Sequence, residues 1–409
     1  MSFRTIAFFY PTRKAKIGGA QKLLIRVVTY LAKIHIKVIV YDYEDGYCFN
    51  ELSKLKINNV RLIPINNLMI GHELDDETVL VLFNDSYKKA IHYKCTGTKI
   101  LFWDLRYSAM KDMMSTRWGS IPLISNFSRK LFFRSLAKNC AICTVEVEGK
   151  KYIKELTGYD APQINIPIDL HSNSSGSFAE VQSKISYIGR SCTWKITPVV
   201  KLVEDLFDSG IEIENFMIFT DSANTFDQYM ESFLSNAQYS FFKDIVEYKE
   251  NLGMEEIVKN IKYCQLNFAM ATAALDVASY KLPVISLDFS ETKFPNDYKY
   301  RFLYDNFGND NLAQDLNAHK DLCYKSIGNS LQDVLTKSLS DRDNIIDCNL
   351  NYVVANHSVD SVVEKLLLNC TKTSLTFRKY KSMMLKNPFG FLLVVKNKIF
   401  KKTIVNDKI

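Results

Sequence analysis

The chain has 409 residues, 47% of them apolar, and a net charge of +7 from 52 Lys and Arg against 45 Asp and Glu. That length exceeds one ordinary domain, and two domains of about 180 residues each fit the size rule. No apolar run reaches the roughly 18–20 residues of a transmembrane helix. The run at 6–10 is too short for a secretory signal and meets Pro11 and a basic cluster.

The nine cysteines are scattered. Cys140 and Cys143 form a C-x-x-C in an apolar run with no second pair at zinc spacing, so core packing in a reduced, cytoplasmic protein is the expectation. The charge is uneven. Residues 371–409 hold ten cations and one acid, Asp407, so this tail carries +9 and the other 370 residues sum to −2.

In chain order, residues 4–10 read as a buried strand. Pro11 opens a loop that ends in Gly18-Gly19-Ala20-Gln21. A helix follows with Leu23, Leu24, Val27, Val28 and Leu31 on one face, then a strand at 36–41. This βαβ opening predicts a parallel sheet. The glycine pair stands between strand and helix, where doubly wound sheets hold ligands, or is a loop needing positive φ. It is neither a G-x-G-x-x-G nor a Walker loop. Further strands are expected at 60–65, 78–84, 99–107, 123–127 and 141–147. Trp103-Asp104 lies in the third of these. Trp103 could stack on a sugar or base, or belong to the core with Asp104 as a cap. Residues 164–170 resemble a short strand that closes a domain, and 172–177 read as a polar, turn-rich linker.

The second half opens with Tyr187-Ile188-Gly189-Arg190-Ser191-Cys192-Thr193-Trp194-Lys195 between a strand beginning near Ile185 and an amphipathic helix at 198–208. Gly189 permits a close turn, Arg190 can fork onto phosphate oxygens, Lys195 adds a point charge, and the helix start adds positive potential. A surface turn with two solvated cations is the plainer reading. Strands follow at 216–220 and 245–248, and a helix at 254–260. Next comes Cys264–Met270, then Thr272-Ala273-Ala274-Leu275-Asp276 and, after Tyr280-Lys281-Leu282, Pro283-Val284-Ile285. This is a tight βαβ unit. With Thr272 as N-cap, the amides of Ala273, Ala274 and Leu275 would be free for an anion, and Asp276 could accept from ribose hydroxyls. Helices are expected at 331–339 and 359–368. Asp341-Arg342-Asp343 follows a helix and reads as a solvated turn, and no histidine falls in an assignable motif; His35, His92 and His357 read as structural or exposed.

The Gly-Arg-x4-Lys stretch at 189–195 and the Asp276-x6-Pro283-Val284-Ile285 stretch together resemble the retaining nucleotide-sugar enzymes among the GT-B glycosyltransferases, those that build bacterial surface polysaccharides such as O-antigen and capsule. The resemblance covers roughly 5–50 and 95–290. It implies an α/β fold of two Rossmann-like domains facing a cleft, with a basic C-terminal tail. The parts are an acceptor domain at 1–170, a linker at 171–184, a donor domain at 185–350, a helix returning towards the first domain at 351–370, and the tail at 371–409. It implies hexosyl transfer from a nucleotide diphosphate-sugar to a glycan or lipid-linked hydroxyl with retention. Arg190, Lys195 and Asp276 are the expected catalytic residues, the first two neutralising the leaving diphosphate. Gly18, Gly19, Gly189, Ala273, Ala274 and Leu275 would complete the diphosphate site, and Asp276 would hold the ribose.

Two positions depart from the family pattern. Trp103-Asp104 stands where the family has His-Asp, and is the expected sugar or acceptor contact. Phe268 stands where the first of two glutamates is found, with Asp276 replacing the second. Two alternatives follow: a non-catalytic relative or assembly partner, and a sugar-nucleotide epimerase, whose acid/base carboxylates and His cannot be placed here. No cofactor and no metal are expected, because a fixed Arg/Lys pair can do a metal's electrostatic work. The tail, basic and apolar, is expected to dock on an anionic membrane face, placing the protein on the cytoplasmic side. Nucleic-acid binding is not expected, since no recognisable module accompanies the charge.

Overall fold

The computed structural model describes residues 3–11, 18–65, 74–83, 97–105, 110, 122–171, 182–292, 294–306, 312–313, 316 and 328–386, with the backbone alone at 122–126 and 384–386. The linker expected at 172–177, most of the loop before Gly18, the tail beyond 386 and His92 lie outside these residues. The chain divides into two units, Met1–Pro167 with Val359–Ile409, and Ile168–Ser358.

The first unit holds strands β1 (Thr5–Phe9), β2 (Lys37–Asp42), β3 (Val60–Pro64), β4 (Thr78–Phe83), β5 (Lys99–Asp104) and β6 (Ile142–Thr144) in the order β3-β2-β1-β4-β5-β6. Every pairing is parallel. Strands of such a sheet are covered on both faces and so read as continuous apolar runs. In β1, Ala7 and Phe9 enter one core, while Ile6 and Phe8 enter the other. Helix α1 (Gly19–Lys33) buries Leu23, Leu24, Val27, Val28 and Leu31, the stripe its sequence spacing predicts. Helix α2 (Tyr47–Leu55) follows β2. Asp42, at the end of β2, is fully buried and accepts the amides of Tyr43 (2.8 Å) and Phe49 (3.2 Å), so it is committed to holding the turn into α2.

Residues 123–127, expected as a strand, instead open helix α3 (Pro122–Lys138). A five-residue apolar run does not discriminate by period. The residues after it settle the matter, because Phe132, Phe133, Leu136 and Ala137 recur at helical spacing and are buried. Helix α4 (Val147–Thr157) follows β6. Within 164–170, expected as a strand, only Ile168 makes a bridge, with Ser358, while the preceding Gln163 bridges Thr144.

The second unit repeats the plan. Strands β7 (Gln182–Ile188), β8 (Asn215–Thr220), β9 (Val246–Glu250), β10 (Cys264–Ala269), β11 (Val284–Ser286) and β12 (Arg301–Phe302) lie in the order β12-β11-β10-β7-β8-β9, with only β12 antiparallel. Its helices are α5 (Thr193–Ser209), α6 (Ala223–Phe233), α7 (Asn236–Ile245), α8 (Met254–Ile261), α9 (Thr272–Ser279), α10 (Leu331–Ser340) and α11 (Arg342–His357). Helix α5 begins five residues before the expected 198 and keeps Pro198 inside. The two last helices, α12 (Val359–Lys372) and α13 (Phe377–Lys386), belong to the first unit. Val362, Val363, Leu366 and Cys370 of α12 join the core beside α1, while Phe377 and Tyr380 of α13 join the core on the other face.

In each sheet the strand order reverses beside the unit's first strand, at β1/β4 and at β7/β10. In open α/β sheets, the crevice outside the carboxyl ends of the strands at such a reversal is where ligands bind.

Candidate functional site

Strands β7 and β10 pair with Ile188 opposite Ala269. The loops that follow them, Gly189–Cys192 and Met270–Ala271, therefore leave the same end of the sheet side by side. The first belongs to one of the two stretches that carry the sequence resemblance, and the second leads into the other. Register and topology bring them together across 80 residues of chain, at the strand-order reversal of the second unit.

The first loop is tightly held. Gly189 N–H donates to the Phe219 carbonyl (3.0 Å), and Cys192 N–H to the Arg190 carbonyl (2.9 Å). Asp221, just past β8, accepts both the amide (2.7 Å) and the hydroxyl (2.6 Å) of Ser191 on one oxygen. Beneath the loop the Tyr187 phenol donates to the Lys195 carbonyl (2.6 Å). A Cβ on Gly189 would overlap that phenol oxygen and its ring carbon. Glycine is required here to let Tyr187 pass, rather than for an unusual φ. Burial pushes the Tyr187 phenol up, out of reach of titration near neutral pH.

Arg190 is exposed and Lys195, in the first turn of α5, is half-buried. The Lys195 ammonium lies 5.1 Å from the Trp194 ring centroid. Its pKa is lowered, first by burial and second by the Arg190 charge. Two cations thus press on each other at a helix start, at the mouth of the β7/β10 reversal, an arrangement that an anion between them would relieve. Trp194 meets Phe289 edge-on at 5.4 Å, and Thr197 Oγ1 donates to the Ser290 carbonyl (2.7 Å), so the loop after β11 packs on the same helix end.

The second loop differs from expectation. The helix cap is Ala271, not Thr272, and Ala271 adopts φ 48°, ψ −122°. With Ala273 N–H bonded to the Met270 carbonyl (3.1 Å), residues 270–273 form a type II′ turn whose first central position favours glycine. The amides of Ala274 (3.1 Å) and Leu275 (3.3 Å) both donate to the Ala271 carbonyl. The three amides expected to be free are therefore taken. The N–H groups of Ala271 and Thr272 are the ones at this helix start without an acceptor among the described residues. Asp276 is 6% exposed.

Phe268 is fully buried in β10, edge-on to Tyr300 at 6.1 Å, so its position is part of the core and presents no polar group. Trp103 is also fully buried. It packs on Phe83, and its indole N–H donates to the Ile164 carbonyl (3.1 Å). The sugar-stacking role expected of it is excluded by that burial; of the two readings, core packing holds. Asp104 is buried at the end of β5, where its backbone carbonyl accepts the Val145 amide (2.9 Å). Gly18, at the N-terminus of α1, has an ordinary extended φ of −128°, and its N–H donates to Gln21 Oε1 (3.1 Å). Gly19 is the first residue of α1, so the pair does not serve positive φ.

Asp341-Arg342-Asp343 is only partly the solvated turn its sequence suggests. The Arg342 guanidinium donates to the carbonyls of Gln265 (2.7 Å) and Cys264 (3.1 Å), tying α11 to β10. His35 is exposed and His357 is buried. Cys143 is buried and donates to the Phe102 carbonyl (3.3 Å), while Cys140 is exposed. No group of three or more His, Cys, Asp or Glu side chains stands together as a metal site among the described residues.

Sequence reasoning missed Asp221 as the anchor of the Arg190 loop and Tyr187 as the reason for Gly189. The position of Asp221 at the end of a strand next to β7 was the available signal; Tyr187, two residues before the glycine and on the same side of the strand, was the other.

No family model matches the chain, and no curated protein matches it. Solved structures do. The chain is similar to a glycosyltransferase from Rickettsia africae ESF-5 (TM-score 0.54, 14% identity, covering 94% of this chain and 99% of that one). It is also similar to a TarM variant from S. aureus in complex with Fondaparinux, α-GlcNAc-glycerol and UDP (0.56, 9%, 90% and 100%). A third is an α-glucosyltransferase in complex with UDP and a 13-mer DNA (0.53, 11%, 91% and 100%). At these identities the likeness establishes the fold: two Rossmann-like units of the GT-B type.

Proposed function

We propose that the protein is a glycosyltransferase that moves a sugar from a nucleotide diphosphate-sugar to a hydroxyl of a glycan or lipid-linked acceptor. The observation that carries this reading is the Arg190/Lys195 pair, held at the β7/β10 strand-order reversal and mutually repulsive without an anion. A diphosphate supplies that anion. As the anomeric C–O bond breaks, its electron pair leaves on the diphosphate. Arg190 and Lys195, with the Ala271 and Thr272 amides, are the groups assigned to hold that charge in place, which is how preorganised donors lower such a barrier. The Asp221–Ser191 latch and the Tyr187–Lys195 bond fix the loop in advance. Asp276 is assigned to the ribose.

With two cations doing this work, the transfer is proposed to need no metal ion. Retention, a hexosyl donor, and a place in O-antigen or capsule synthesis extend the same reading from the sequence resemblance. Likeness in fold to the UDP-bound TarM variant and α-glucosyltransferase supports a nucleotide-sugar donor. The test is release of nucleoside diphosphate from a panel of UDP- and GDP-sugars in EDTA. Turnover of one donor, lost in Arg190→Ala/Lys195→Ala, supports the proposal.

The burial of Phe268 and Trp103 favours a second reading. Neither position offers the polar contact to a sugar that the family pattern has there. A non-catalytic nucleotide binder built on the same fold would bind nucleoside diphosphate in this assay and release nothing.

A further inference from the structure

Helix α3 presents exposed apolar side chains among the described residues. Phe127 and Leu131 are 63% and 53% exposed, one turn apart. Lys130, Arg134 and Lys138 are exposed with them. At 100° per residue the five positions fall within an arc of about 100°. The opposite side is fixed, since Phe132, Phe133 and Leu136 are buried in the core. The helix therefore cannot roll to hide Phe127 and Leu131. Helix α13 lies alongside, with Ser135 Oγ donating to Met383 Sδ (3.1 Å) and Lys379 Nζ to Asn139 Oδ1 (2.9 Å). It adds exposed Arg378 and Lys379. Neither helix contains an acidic residue, and beyond α13 the sequence holds five more cations against Asp407.

We infer that this composite α3/α13 face docks on an anionic lipid surface. Large apolar side chains held in water and flanked by cations on one amphipathic helix fit a bilayer interface, where Phe127 and Leu131 enter the headgroup boundary and the cations meet anionic headgroups. A nucleic acid would use the cations but offers no place for Phe127 and Leu131. The face belongs to the first unit and shares no residue with the Arg190/Lys195 site, and the inference stands whether or not sugar transfer is the activity.

The test is co-sedimentation of the full chain with phosphatidylcholine vesicles, with and without phosphatidylglycerol. Binding is expected only with phosphatidylglycerol. Phe127→Ser/Leu131→Ser should weaken it by about tenfold or more, and Lys130→Glu/Arg134→Glu should abolish it. All five side chains are exposed, so thermal melting and nucleoside diphosphate binding should match the parent. Unchanged vesicle binding in both variants would overturn the inference and assign binding to the tail. Equal binding to neutral vesicles, no vesicle binding at all, or loss in these variants of duplex DNA binding instead, would overturn it too.

Discussion

The Tyr187 phenol donates a 2.6 Å hydrogen bond to the Lys195 carbonyl, running directly beneath Gly189. The side chain at the end of β7 thus sets the height of the loop that carries Arg190 and the first turn that carries Lys195. Replacing Gly189 with Ala forces a methyl group into the phenol. Overpacking of this kind costs about 1–3 kcal/mol, and the displaced loop should weaken nucleoside diphosphate binding by at least tenfold. Tyr187→Phe, which removes the Lys195 bond and a long contact to Met270 Sδ (3.9 Å), should cost only about 1 kcal/mol. Chemical denaturation of the two variants checks the order.

Asp221 holds Ser191 through both its amide and its hydroxyl. Hydrogen bonds to a charged acceptor contribute about 1.5–3 kcal/mol each. Asp221→Ala should therefore loosen the Arg190 loop, lowering nucleotide affinity about tenfold while leaving the far-ultraviolet dichroism unchanged. Ser191→Ala, which keeps the amide bond, should lose less. Calorimetric titration with UDP and GDP separates them.

Ala271 occupies the glycine-favouring position of a type II′ turn. Strain at such a position costs on the order of 1–3 kcal/mol, against about 0.5–1 kcal/mol for the chain entropy that glycine adds. Ala271→Gly should leave stability unchanged or raise it, the reverse of the usual effect. Ala271→Val should destabilise by about 2 kcal/mol or more. Thermal melts of both variants read the sign.

How far the sequence spoke depended on range. The Gly-Arg-x4-Lys stretch and the Pro283-Val284-Ile285 stretch were both legible because each is a local signal at a strand end or start, and the structure puts them at β7 and β11, on either side of β10. The apolar stripe of α1 was legible for the same reason. Trp103 was not, since a strand residue facing a core and one facing a ligand have the same local sequence; only the distant Ile164 carbonyl and Phe83 ring decide it. Residues 123–127 were misread because a short apolar run has no period. The true cap of α9 was missed because Ala271 lacks the side chain by which caps are recognised.

Burial and the Arg190 charge both hold the Lys195 pKa below the ordinary lysine value. A diphosphate favours the protonated amine, so affinity is full at lower pH and falls as pH rises through the Lys195 pKa, earlier than for an ordinary lysine. Arg190→Ala removes the like charge, so the alkaline limb should move to higher pH even as overall affinity drops. A pH series of UDP binding for parent and variant checks the direction.

Trp103→Phe should cost stability, through a lost buried hydrogen bond of about 1 kcal/mol and reduced packing, and leave donor KM and donor preference unchanged. A change in preference without loss of stability would return Trp103 to the site.

The central claim is that Arg190 and Lys195 hold a diphosphate without a metal ion. It is tested most directly by calorimetric titration of UDP, GDP and their monophosphates in EDTA, with the parent and with Arg190→Ala/Lys195→Ala. The account predicts that one diphosphate binds the parent more tightly than its monophosphate, and that the double variant, folded by its melt, loses roughly 10²-fold or more, as removal of charge-assisted contacts does. Equal binding by parent and double variant, or no diphosphate binding by either, would contradict it.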